Sequence, residues 1–389
     1  MPLTRHFSLS TFTAGFITVL VGYTSSAAIV FEAARAAGGT QAQIASWLIV
    51  LGLAMGLTCI GLSLRYRIPV VTAWSTPGAA LLATSLNGYS MNVAIGCFIF
   101  AAALILLSGL TGWFERAMAK VPMSLCAALL AGVLVRFGMN AFISMQTALL
   151  LVLPMFGVYL FCKRFKPRYT MLLVLLSGIA LAHWQGLLHL DASRFALAAP
   201  VLIAPEFNWQ ALIGVGLPLF IVTMASQNIP GVAVLRSAGY TPPVSALISW
   251  TGFVNLILAP FGCFAVNLAA ITAALCMGKE VHDDPTKRYQ ASVAAGGFYL
   301  ILGVLGAAVG AFLNAFPREL IFAIAGFALL GTIGSGLTIA MRDEHQREPA
   351  LITFLVTASG LTLFGIGSAF WGLVAGVLAL LVLGAHGKK

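Results

Sequence analysis

Apolar residues run along this chain in long blocks, separated by short stretches that carry nearly all of the charge, proline and glycine breaks, or both. The blocks lie at residues 11–31, 42–63, 68–86, 92–112, 121–138, 146–162, 169–188, 211–233, 243–259, 260–277, 291–313, 319–340, 349–366 and 368–385. Most approach the roughly 20 residues that a helix needs to cross a bilayer. Two are different. Blocks 68–86 and 260–277 are short, rich in small or polar residues, and broken by proline or glycine. The pattern predicts fourteen membrane segments, with the third and tenth irregular.

Composition agrees. Of 389 residues, 60% are hydrophobic and 8% charged, with a mean hydropathy of +1.00, whereas a soluble domain carries roughly 25% charged residues. A soluble globule, a disordered chain and a disulfide-rich secreted module are excluded, leaving an all-α integral membrane protein in the lipid bilayer. Neither end is expected to hold a sizeable soluble domain. Only Met1–Ser10 precede apolar sequence, and no small-residue cleavage site follows a short apolar core, so no removable leader is expected. The six cysteines lie in or beside apolar blocks, with no CxxC pair and no histidine cluster. That is packing, not a zinc site or a disulfide framework.

The net charge of +10 reads as loop asymmetry, so no nucleic acid is expected as a partner. With the N-terminus in the cytoplasm, only Arg35, Arg136, Arg194 and Arg318 fall outside, and the rest of the 21 basic residues fall inside. This supports fourteen spans with both termini cytoplasmic under the positive-inside rule.

The two halves repeat. Arg35-Ala-Ala-Gly-Gly-Thr40 recurs as Arg236-Ser-Ala-Gly-Tyr-Thr241, 201 residues on, each copy between the first and second segments of its half. The irregular segments also correspond. Seven segments per half is an odd number, so the second half is inverted: a 7+7 inverted repeat, in which broken segments at matching places point to a transporter's binding site.

In Ile68-Pro-Val-Val-Thr-Ala-Trp-Ser-Thr-Pro-Gly78, Pro69 and the β-branched run favour extended chain, and Thr76 before Pro77 reads as a helix N-cap. In Pro260-Phe-Gly-Cys-Phe-Ala-Val-Asn-Leu-Ala-Ala270, Asn267 reads as the N-cap of a half-helix starting at Leu268. Two such half-helix N-termini facing each other would offer unsatisfied N–H groups to an anion. The competing reading is two kinked helices with nothing bound. Flanking this centre, Tyr23-Thr-Ser-Ser26 corresponds to the stretch around Ser226 and Gln227, with Asn228 beside Pro230. Buried amides in lipid need partners, so Gln227 and Asn228 either contact ligand or satisfy backbone freed by Pro230. Candidate contacts are Tyr23, Ser25, Ser26, Thr72, Trp74, Ser75, Thr76, Gln227, Asn228, Asn267 and Leu268, with Trp74 and Tyr23 as an aromatic wall.

All eleven carboxylates fall in loops or at segment ends, so the centre holds no deep proton relay or cation ligand. No nucleophile elbow, P-loop, dinucleotide fingerprint or metal motif stands in a plausible context, and neither an enzyme activity nor a cofactor is expected. Arg136 stands among apolar residues and either snorkels outward or has a role of its own. Gly52/Gly56, Gly306/Gly310 and Gly372/Gly376 predict close helix packing.

The blocks Thr72-Ala-Trp-Ser-Thr-Pro-Gly-Ala-Ala80, Val222-Thr-Met-Ala-Ser-Gln-Asn228, Asn267-Leu-Ala-Ala-Ile-Thr-Ala-Ala274, Phe354-Leu-Val-Thr-Ala-Ser-Gly-Leu-Thr-Leu363 and Gly367-Ser-Ala-Phe-Trp-Gly372 resemble the BenE family of benzoate–proton symporters along nearly the full length. The resemblance is to proteins of the bacterial inner membrane. It implies an aromatic carboxylate as substrate and protons as coupling ion. The family in turn resembles nucleobase–cation symporters and sulfate or bicarbonate transporters. That wider resemblance implies a core domain of residues 1–113 and 205–313, a gate domain of 114–190 and 318–389, elevator-like motion between them, and homodimers. One departure matters: nucleobase symporters carry a glutamate in the eighth segment where this chain has Gln227 or its neighbour, so coupling through that carboxylate does not carry over. A nucleobase or inorganic anion carrier, or an anion channel of the same fold, remains the alternative.

Overall fold

The computed structural model describes residues 8–112, 122–165, 170–188, 199–269, 271–278, 281–306, 308, 315–361, 363 and 368–384. Each of the fourteen blocks has its element. The first half comprises α1 (Leu9–Ala36), α2 (Gln41–Tyr66), β1 (Thr72–Trp74) leading into α3 (Thr76–Ser85), α4 (Met91–Thr111), α5 (Met123–Ile143), α6 (Leu149–Phe165) and α7 (Thr170–Trp184). The second comprises α8 (Trp209–Arg236), α9 (Val244–Leu258), β2 (Val266–Leu268) leading into α10 (Ile271–Ala274), α11 (Tyr289–Val304), α12 (Arg318–Ala340), α13 (Arg347–Ser359) and α14 (Ser368–Gly384). Among the described residues, six helices are long and apolar enough to cross a membrane, and shorter apolar helices accompany them. Large apolar side chains such as Leu110, Phe161, Trp250 and Leu381 stand exposed on the outer surface, as lipid-facing positions require.

Packing repeats the inverted symmetry of the sequence. α2 lies on α11 and α4 on α9, and exchanging the halves turns one pair into the other. The α6–α7 hairpin has its counterpart in α13–α14, while α5 and α12 pack on each other across the axis. Between lipid-soluble helices the hydrophobic effect gives little preference, so close van der Waals contact has to hold them. The glycines supply it. A Cβ on Gly52 would stand 2.9 Å from the Tyr299 carbonyl, and one on Gly56 2.9 Å from that of Gly296. On α14, Gly372 and Gly376 face Thr357 and Thr353 of α13 in the same way. Gly306 packs on Ile49, whereas Gly310 lies outside the described residues. All six cysteines are free and buried.

At the centre β1 and β2 pair antiparallel, Thr72 opposite Leu268, Ala73 opposite Asn267, Trp74 opposite Val266. Two-stranded ribbons are marginal alone, and symmetry-related helices brace this one. From α2, Thr58 Oγ1 shares a 2.6 Å hydrogen bond with Thr72 Oγ1, and Cys59 Sγ accepts from Thr72 N–H at 3.1 Å. From α9, the Asn255 amide donates to the Val266 carbonyl at 2.8 Å and accepts its N–H at 2.7 Å. Extended backbone at membrane depth is thus satisfied inside the protein.

Two expectations about the broken segments are corrected. The cap of α3 is Ser75, not Thr76: Ser75 is extended (φ −74°, ψ 96°) and its hydroxyl accepts from Gly78 N–H at 3.0 Å. Pro77 then sits one residue deeper than the first helical position, which costs nothing because first-turn N–H groups have no intrahelical partner. Asn267 caps no helix. It belongs to β2, and the next helix is the single turn Ile271–Ala274 rather than one starting at Leu268. Pro260 and Phe261, assigned to the tenth block, extend α9 with Ala259 as a 3-10 turn. Beyond α10, Arg288 is buried and donates from Nη1 to the Met277 carbonyl and from Nε to the His282 carbonyl, both at 2.8 Å, closing the segment.

Candidate substrate site

A cavity of about 460 Å³ lies where β1–α3 and β2–α10 meet α1, α8, α6 and α12. That volume is within the range of small-molecule sites. Ser26 of α1, Trp74 of β1, Thr76 and Pro77 of α3, and Ser226 and Gln227 of α8 line one side, with Ala269, Thr272 and Tyr299. Tyr159 and Lys163 of α6, Thr170 and Met171 of α7, and Phe327 and Ser335 of α12 line the other.

The local chemistry depends on how each segment is held. Trp74 Nε1 donates to Ser26 Oγ at 2.8 Å, and Ser26 Oγ donates to the Gly22 carbonyl at 2.7 Å. The indole is thereby fixed as a flat wall. At α3, Ser75 Oγ takes Gly78 N–H, and the Ser75 carbonyl takes Ala79 N–H at 2.7 Å. Thr76, the first helical residue, has an N–H that meets no acceptor among the described residues, and Thr76 lines the cavity. An orphan donor at a helix start suits an anionic group. On α8, Met224–Asn228 forms a π turn just before Pro230. Such turns widen a helix and recur at functional sites. Here the turn sets two neighbouring amides on different tasks. Gln227 is half-buried in the cavity wall and makes no protein hydrogen bond among the described residues, whereas Asn228 is fully buried, accepts Leu268 N–H at 3.0 Å and donates to Met224 Sδ.

Of the sequence candidates, then, Ser26, Trp74, Thr76 and Gln227 line the cavity. The others build its walls. Thr72 is tied to α2. Ser75 is a cap that also accepts from Thr223 Oγ1 at 3.2 Å. Asn267, with its amide turned to suit its neighbours, accepts from Ser75 N–H and donates to the Leu268 carbonyl, both at 3.1 Å. Leu268 is buried in β2. Tyr23 packs behind Trp74, ring centroids 4.6 Å apart, and its hydroxyl is buried without a hydrogen bond. The side chain of Ser25 lies outside the described residues.

The far wall carries no mark in the sequence. Tyr159 stacks on Phe327 at 5.5 Å, giving the cavity a second aromatic surface besides Trp74 and Tyr299. Lys163, one of the basic residues that the charge pattern puts in an inside loop, is exposed at the cavity's edge and is its one charged lining residue among those described. No local motif marks these positions, since they reach the site only through packing of α6 on α12. Ser226 of α8, which the repeat marks as the counterpart of Ser25, also lines the cavity and donates to the Val222 carbonyl. Among the described residues no group of histidine, cysteine or carboxylate side chains could hold a metal ion.

Fourteen segments in an inverted repeat around a cavity with aromatic walls, hydroxyls, an amide and a cation define a membrane transporter rather than an enzyme. The chain belongs to the BenE family, described as benzoate membrane transport protein, whose profile matches residues 5–382. It is 50% identical over 373 residues to the inner membrane protein YdcO of Escherichia coli (strain K12), covering 96% of this chain and 95% of that one. It is 41% identical over 381 residues to the benzoate membrane transport protein of Acinetobacter baylyi (strain ATCC 33305 / BD413 / ADP1), covering 98% and 97%. Among solved structures it is similar in fold to SLC26A9 (TM-score 0.67, 12% identity), covering 97% of this chain and 66% of that one. It is likewise similar to the transmembrane domain of the cyanobacterial bicarbonate transporter BicA (TM-score 0.60, 12% identity), covering 97% of this chain and all of that domain. The protein is a multi-pass inner-membrane transporter of a small molecule.

Proposed function

We propose that this protein carries an aromatic carboxylate, benzoate foremost, in symport with protons. The observation that carries the reading is the cavity's polarity: its aromatic lining of Trp74, Tyr299, Tyr159 and Phe327 takes a ring. Thr76 N–H, Gln227 and Lys163 supply the cavity with donors for a carboxylate, and among the described residues no carboxylate of the protein lines it. The likeness to a benzoate transporter supports the same substrate. Both termini are cytoplasmic in this reading, which places Lys163 on the inner side. Residues 1–113 and 205–313 form the moving core, and 114–190 with 318–389 form the gate. In an elevator-like cycle the core carries the substrate past the gate, and two copies form the working dimer.

The test is thermal stability of the purified protein against aromatic acids, uracil and inorganic anions. Uptake alone is ambiguous, because neutral benzoic acid crosses lipid unaided. A ligand at a hundred times its dissociation constant adds about 2.7 kcal/mol when it binds only the folded state. Stabilisation by benzoate and not by uracil or sulfate is expected. Stabilisation by uracil or sulfate alone overturns the substrate.

A further inference from the structure

A second cavity, of about 340 Å³, sits at the other end of α3. Thr76 and Pro77 at the start of α3 line the central cavity, while Thr84 and Ser85 at its end line this one. Ten helical residues put the two about 14 Å apart along the axis. The rest of the lining comes from α5, the end of α13 and the start of α14, with Arg136, Gly360 and Ser368.

Arg136 is the unusual member. Its Nε donates to the Ala358 carbonyl at 3.1 Å, near the end of α13. A guanidinium has five donors in a planar fork, and here neither Nη makes a hydrogen bond or an ion pair among the described residues. The wall is shaped around it. Gly360 is in the left-handed region (φ 71°), and a Cβ there would collide with the guanidinium. One further polar group at the cavity lacks a partner, the Ser85 hydroxyl, which makes no hydrogen bond among the described residues. Capping α13 needs one donor and a positive charge. It does not account for a cavity, a guanidinium with both Nη groups free among the described residues, and a hydroxyl without a partner at one place, since such groups are costly until satisfied.

We propose that Arg136 and Ser85 form a second carboxylate site, at which the substrate anion docks on the face opposite Lys163 before it reaches the start of α3. A bidentate guanidinium–carboxylate pair is the geometry that fork selects, and the Ser85 hydroxyl donates to a remaining lone pair. The site rests on the reading of the protein as a carboxylate carrier, and it adds a stop on the path that the central cavity does not supply.

The experiment is sided benzoate exchange in proteoliposomes at pH 8, where the carboxyl group is ionised. R136Q is expected to raise the half-saturating concentration tenfold or more from the Arg136 face and to leave it within twofold from the Lys163 face. R136K keeps the charge but loses the fork and falls between wild type and R136Q. S85A, which removes only the hydroxyl, gives a several-fold rise on the same face and guards against a folding defect in the arginine variants. Arg136 acting only as a clamp on α13 would move both faces alike, and that result, or no change on either, overturns the proposal. Wild-type protein without saturable exchange overturns the functional reading instead.

Discussion

Gln227 and Asn228 are neighbours in one π turn, yet the structure gives them opposite consequences when truncated. Gln227 has no protein partner among the described residues and lines the cavity, so Q227A leaves the empty protein's stability unchanged and, under the proposed function, removes a donor to the carboxylate. A hydrogen bond to a charged group contributes about 1.5–3 kcal/mol, which corresponds to a loss of roughly 10- to 150-fold in affinity. Take a 30-fold loss as the working value. At a benzoate concentration of about a hundred times the wild-type dissociation constant, ligand stabilisation then falls from about 2.7 to about 0.9 kcal/mol. N228A does the reverse. It strands Leu268 N–H, which Asn228 Oδ1 accepts at 3.0 Å in a fully buried setting, and a stranded buried donor costs about 1–3 kcal/mol. The empty N228A protein should therefore melt earlier, while whatever folds still gains from benzoate. Differential scanning fluorimetry of both variants, with and without benzoate, reads the two effects separately. Wild-type ligand stabilisation in Q227A, or equal loss of apo stability in both variants, would refute this division of labour.

Three further outcomes rest on the same geometry. N255L removes both hydrogen bonds to Val266 and strands two buried backbone groups at about 1–3 kcal/mol each; thermal melts should show a larger loss than for N228A, and an unchanged melt would argue against the bracing of β2. G52V pushes a side chain into the α11 backbone at Tyr299 and Gly303, so size-exclusion chromatography should show little monodisperse protein, and a normal profile would deny the close packing. K163E reverses an exposed charge at the cavity edge, worth about 1 kcal/mol or less, so benzoate affinity should fall up to about fivefold at low salt and converge on wild type as salt rises; a loss that salt leaves untouched would place Lys163 in direct contact instead.

Much of the fold is legible in the sequence because the bilayer enforces it. A spanning helix must be apolar for its whole length, so the blocks mark all fourteen segments, and the weak third and tenth blocks mark where β1 and β2 lie. Capping residues are harder. Ser75 and Thr76 are both good caps, and the choice between them depends on the strand register and on the hydroxyl of Thr223, which is distant in sequence. Asn267 misleads for a similar reason: its amide satisfies the backbone of Ser75 and Leu268 across the ribbon, a role that only tertiary pairing reveals. The candidate contacts come from the segments carrying polar residues, and those segments are all on one side of the cavity. Tyr159 and Phe327 look like any aromatic in a membrane helix until α6 packs on α12.

Symmetry explains why the two strands are held at equivalent places, though by different groups. α2 anchors β1 through the side chain of Thr72 and α9 anchors β2 through the backbone of Val266, while α1 grips the Trp74 indole and α8 grips Leu268 N–H. Each half thus fixes its own strand with its own first and second helices, and antiparallel pairing joins the results. The inequality lies in the helices that the strands lead into. α3 runs ten residues, whereas α10 is one turn, and partial charge at a helix start grows with the number of aligned peptides behind it. The positive end that matters to an anion is therefore that of α3. Its partner contributes shape, through Ala269 and Thr272, more than field. A nearly symmetric scaffold in this way presents an asymmetric site, with the helix-start donor on α3, the amide of Gln227 on α8 and the aromatic pair of Tyr159 and Phe327 on α6 and α12.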